Sequence, residues 1–96
     1  MLSITRHAFL RAKERLGLSQ DAFRRISAMA FCFGLPGEDT KGRLRNYIET
    51  KQDHHPDNII RLYGENMFVF KEDCLITVYQ LPRDLKNYYL KIKKAG

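Results

Sequence analysis

The chain has no tryptophan, three prolines, two cysteines and no hydrophobic run of membrane-spanning length. Each shortage excludes something. Two cysteines cannot staple a small secreted fold. Cys32 and Cys74 lie in apolar surroundings without a basic neighbour, so both are expected to be buried, reduced thiols rather than nucleophiles. The longest uncharged run, Ile26 to Gly37, falls far short of the roughly 20 residues that cross a bilayer. The opening Met1-Leu2-Ser3-Ile4-Thr5-Arg6 offers no apolar core for a signal peptide. A reducing, cytoplasmic setting without membrane contact is the expectation. No glycine-rich phosphate loop occurs, and no cofactor is implied. His54 and His55, with Asp53 and Asp57, are the nearest approach to a metal site. Adjacent side chains point apart in most backbone conformations, and no third ligand follows at a suitable spacing, so a polar turn is expected there.

What is present fits one domain covering residues 1–96. The chain is 44% hydrophobic and 11% aromatic, enough for a single core and unlike a disordered composition. Seventeen Lys and Arg face eleven Asp and Glu, a net charge of +6. The excess sits at the two ends: residues 1–25 carry six basic and two acidic side chains, and residues 83–96 carry five and one. A polyanion would find that charge wherever the ends of the chain meet.

Periodicity divides the chain near Asp57. Ala8, Phe9, Ala12 and Leu16 form an apolar stripe at helical spacing, which predicts a helix from about Thr5 to Leu16, stopped by Gly17. Ser19 is placed to cap a second helix with Asp21 in its first turn. Ala22, Phe23, Ile26, Met29, Ala30 and Phe33 continue it until Gly34. Leu44, Tyr47 and Ile48 favour a third short helix over 40–51, although Leu44-Asn46-Ile48 also alternates like a strand. Residues 53–57 read as a loop. Beyond it the period falls to two, and strands are predicted over 58–63, 67–71 and 74–81, joined by hairpin-length turns. The tail from Arg83 suits either a helix or an edge strand. The predicted class is α+β: two or three N-terminal helices packed on one face of an antiparallel three-stranded meander, followed by a basic C-terminal tail. Phe68 and Phe70 share a strand face and are expected in the core, with base stacking as the other reading.

The chemistry concentrates in the first helix. His7, Arg11 and Arg15 stand at i, i+4 and i+8 and so share one face, away from Ala8 and Ala12. A neutral imidazole accepts a proton from a ribose 2′-hydroxyl, and guanidiniums hold a phosphate and offset charge that develops on it. A solvated basic helix face is the plainer reading of the same spacing.

The pattern HAxxRxxER formed by His7 to Arg15, the Leu75-Ile76-Thr77-Val78-Tyr79 strand and the hairpin strands resemble a set of small bacterial and phage proteins. Those in turn are similar to RelE/BrnT-type toxins of the barnase–EndoU–colicin–RelE ribonuclease superfamily. The resemblance covers about residues 4–17 and 58–82. It implies that the His and Arg residues of the helix line a cleft against the sheet, with Arg61, Thr77 or Tyr79 joining them. It implies an RNA-binding protein and a metal-independent endoribonuclease, with His7, Arg15, Thr77 and Tyr79 as the catalytic group. Arg6, Arg11, Arg61, Lys91, Lys93 and Lys94 would bind RNA, the last three in a basic and aromatic cluster with Tyr88 and Tyr89. The alternative is a protein without catalysis that binds a protein partner, either an antitoxin or a host target.

Overall fold

The computed structural model describes residues 2–52 and 57–95, with side chains described through residue 51 and from 57 to 91. The predicted loop over 53–56, with His54 and His55, lies outside the described residues. The elements are β1 (Ser3–Ile4), α1 (Arg6–Leu16), α2 (Gln20–Phe33), β2 (Leu35–Pro36), a 3-10 turn (Gly37–Asp39), α3 (Gly42–Gln52), β3 (Ile59–Tyr63), β4 (Asn66–Lys71), β5 (Cys74–Gln80) and α4 (Arg83–Ala95).

Local chemistry explains most boundaries. Thr5 caps α1 through its hydroxyl, which accepts from the Ala8 N–H at 3.0 Å. Gly17 ends the helix at φ 66, a left-handed conformation that glycine takes without a Cβ penalty. Ser19 caps α2 by accepting from the Ala22 N–H at 3.2 Å. Gly34 ends α2 for a different reason. A Cβ there would collide with the Ala30 carbonyl and stand 2.9 Å from Arg61 Cβ, so the glycine lets α2 close onto β3. Of the two readings for the central segment and for the tail, both resolve as helix, α3 and α4.

The class is α+β, and the sheet is larger than the meander alone. β3, β4 and β5 pair antiparallel in sequence order, as predicted. Two short flanking strands extend them to five, in the order β1-β5-β4-β3-β2. β2 joins antiparallel to β3, and β1 joins parallel to β5, so the sheet is mixed. Two residues per flanking strand are too few to show a period, and Pro36 is tolerated because it lies on an edge.

The helices do not share one face. Along β4, Phe68 and Phe70 point to one side, where they join Ala8, Ala12, Phe23, Ala30, Leu75 and Val78 beneath α1 and α2. Met67 and Val69 point to the other, where they join Leu44, Ile48, Ile60, Leu62, Leu81, Leu85 and Tyr89 beneath α3 and α4. Met67 to Phe70 are consequently all buried. Phe68 and Phe70 are core residues, stacked with ring centroids 6.5 Å apart, and Phe23 continues the stack at 6.3 Å from Phe68. Neither ring is open to a nucleobase.

Two further expectations are corrected. Cys32 is exposed, and Cys74 is half-buried; both are free thiols. Cys32 lies on the outward side of α2, with Met29 and Phe33 also exposed near it at 45% and 74%. The stripe on α2 therefore stops contributing to the core at Ala30. Among the described residues no helix is long and apolar enough to cross a membrane.

Candidate functional site: a cationic cleft between the first helix and the sheet

The α1 helix runs alongside β5, and side chains of α1 complete the strand's outer edge. β1 pairs with β5 only as far as Leu75. Past that point the Thr5 hydroxyl donates to the Ile76 carbonyl at 3.4 Å, and Arg15 Nη1 donates to the Val78 carbonyl at 2.8 Å. A β-bulge falls in the same stretch. Val69 faces Thr77 and Phe70 faces Leu75, which leaves Ile76 as the additional residue on β5. Bulges re-aim side chains, and here Ile76 and Thr77, neighbours in sequence, both line one cleft.

That cleft has a volume of about 320 Å³, and its walls are His7 from the first turn of α1, Lys51 from the end of α3, Asn58 before β3, and Thr77 and Tyr79 from β5, with Val69 and Ile76 as the apolar part. No carboxylate lines it. Arg15 enters from the rim, its guanidinium carbon 4.7 Å from the Tyr79 ring centre. Lys51 Nζ lies 5.0 Å from the same ring and 5.6 Å from that of Tyr47. Two cations thus rest on one phenol ring, held by cation–π attraction worth about 0.5–1 kcal/mol each at exposed positions. Burial raises the Tyr47 phenol above its ordinary value of 10.0; nearby Tyr79 adds to this, and Arg15 opposes it. Tyr47 is therefore a neutral hydroxyl at physiological pH.

Of the four residues expected to act together, His7, Thr77 and Tyr79 share the cleft and Arg15 touches it through Tyr79. The RNA-binding set is scattered. Arg11 is half-buried and its guanidinium is engaged by Glu14 at 2.9 Å. Arg6 is exposed in the first turn of α1. Arg61 donates to its neighbour's carbonyl, at Ile60, and lines a separate hollow with Glu38 and Arg45. Lys91 lies on α4 with Nζ 5.9 Å from the Tyr88 ring. Lys93 and Lys94 belong to the α4 backbone, and their side chains lie outside the described ones. Lys51, Tyr47 and Asn58 were not anticipated. Tyr47 and Lys51 stand at i and i+4, a spacing that puts them on one face once the segment is a helix.

Among the described residues no group of three or more His, Cys, Asp or Glu is placed to hold a metal ion. No family model, curated protein or solved structure matches the chain.

Proposed function

We propose that the protein binds RNA in the cleft between α1 and β5 and cleaves it there without a metal ion. The observation that carries this reading is the meeting of His7, Lys51 and Tyr79 in one cleft free of carboxylates, with Arg15 stacked at its edge. The resemblance of the His7–Arg15 segment to RelE/BrnT-type toxins points the same way.

In this reading Lys51 and Arg15 hold the non-bridging oxygens of a phosphodiester and offset the charge that grows on them as phosphorus becomes five-coordinate. His7, exposed at the cleft wall, accepts the proton of the ribose 2′-hydroxyl. The 2′-oxygen forms a bond to phosphorus as the bond from phosphorus to the 5′-oxygen breaks. The departing oxygen takes a proton from the Tyr79 phenol or from water. The products are a 2′,3′-cyclic phosphate and a 5′-hydroxyl. Thr77 contributes a hydroxyl that bonds to the bound ribose or phosphate.

The test is cleavage of single-stranded RNA by the wild type and by His7→Ala, with and without EDTA. One general base is worth about 10² to 10⁴ in rate, so the variant should lose nearly all activity while it remains folded. Cleavage should persist in EDTA. Absence of cleavage by the wild type, or full cleavage by His7→Ala, would refute the catalytic part. RNA binding that persists without cleavage would leave the cleft as a binding site only.

A further inference from the structure

A second hollow lies on the other flank of α1. It opens between α1 and α2, has a volume of about 300 Å³, and is lined by Phe9, Leu10, Leu18 and Phe23 with Lys13 at the mouth. On a helical wheel Leu10 and Lys13 fall on the opposite side of α1 from Arg11 and Arg15. Leu10 is 50% exposed, although the sheet beneath α1 has ample apolar surface to cover. Arg24 stands over the Phe9 ring at 5.0 Å and adds a second cation beside the opening. Of the nearby acids, Glu14 is engaged by Arg11 and Asp21 occupies the first turn of α2, where the helix dipole favours it.

We propose that this hollow docks an acidic amphipathic segment of a partner protein, which inserts one large apolar side chain and places carboxylates against Lys13 and Arg24. Three observations select that occupant. The volume is at the lower limit of the roughly 300–1,000 Å³ typical of small-molecule pockets, which suits one side-chain anchor better than a whole ligand. The opening is apolar with cations at its mouth, the complement of an apolar residue flanked by Asp or Glu. The accessible surface is aliphatic. Phe23 is fully buried, and Phe9 is covered by Arg24 on one side and meets Phe23 edge-on at 5.8 Å, so no ring face is open for a nucleobase to stack. A second copy of the chain fits poorly, because each copy carries a charge of +6. This docking does not depend on the cleft's acting on RNA.

The experiment uses the full chain and a synthetic helical peptide with Leu and Phe at helical spacing and Glu at the positions beside them. Controls replace the apolar residues with Ala, or Glu with Lys. Amide chemical shifts of the ¹⁵N-labelled protein should move at Phe9, Leu10, Lys13 and Leu18 with the parent peptide and with neither control. Leu10→Asp should weaken the affinity by about tenfold or more, as loss of a central apolar contact does. Leu10 is half exposed, so the variant keeps its fold; Lys13→Glu provides an independent check and should weaken the same peptide. Shifts elsewhere, unchanged affinity in both variants, or no saturation by any peptide would overturn the proposal. Displacement of the peptide from these residues by an RNA oligonucleotide would also overturn it and assign the hollow to RNA. Self-association that Leu10→Asp abolishes would overturn it in favour of a second copy.

Discussion

Lys51→Ala isolates the electrostatic part of the proposed RNA contact. The ammonium lies over two tyrosine rings with no carboxylate in the cleft, and the side chain is exposed. Removing it therefore leaves no buried charge behind, and its cost to the fold is limited to cation–π attraction of about 0.5–1 kcal/mol per ring. That corresponds to a fall in Tm of several degrees, about 4–8 °C per kcal/mol for a domain of this size. The effect on binding should be larger and of a different kind. Each phosphate contact on single-stranded nucleic acid contributes about −0.7 to the slope of log K against log salt. Lys51 and Arg15 together then give a slope near −1.4, a loss of about sevenfold in affinity between 50 and 200 mM salt. With Lys51 removed the slope should halve and the loss should shrink to about two- to threefold over the same range. Fluorescence anisotropy of a labelled RNA oligonucleotide, titrated at several salt concentrations, measures this directly. Lys51→Arg should retain the slope. A slope in Lys51→Ala equal to that of the wild type would show that RNA does not reach the cleft.

Other consequences of the structure are open to measurement. Phe68→Ala should cost about 3–5 kcal/mol, because the ring is fully buried between Phe23 and Phe70 and its cavity lies at the centre of the sheet; chemical denaturation would show it. Burial raises the phenols of both Tyr47 and Tyr89, with a backbone hydrogen bond at Gly64 opposing the shift at Tyr89. Below pH 10 both rings are neutral folded and unfolded; above it the unfolded chain loses its protons first, so stability should fall as pH rises past 10 towards the folded-state values. Tyr47→Phe combined with Tyr89→Phe should flatten that decline, and an unchanged decline would place its origin in the lysines.

Much of the helical half was legible because caps and stops are local chemistry. Thr5, Gly17, Ser19 and Gly34 each act through neighbours a few residues away, and each lies where the sequence put it. The layering was not legible from the period alone. Alternation was expected over 67–71, yet Met67-Phe68-Val69-Phe70 is an unbroken apolar run, which is how a strand covered on both faces reads. That run implied helices on both sides of the sheet. β1 and β2 left no signal, since their pairing depends on where α1 and α2 deliver the chain. Within the site, His7, Thr77 and Tyr79 were found by residue type and strand position. Lys51 was missed because its place beside Tyr79 depends on the length of α3 and the packing of α3 against the sheet, which no local pattern encodes.

Arg15 has a second task that separates its fate from that of His7. Its bond to the Val78 carbonyl closes part of the outer margin of β5, where an open strand would otherwise recruit another chain and seed aggregation. A descendant that had lost all dealings with RNA would still gain solubility from that arginine, while nothing comparable holds the exposed imidazole at position 7. Inactive descendants of this protein should therefore keep Arg15 and let His7 drift, so within the HAxxRxxER pattern it is the histidine that reports on function.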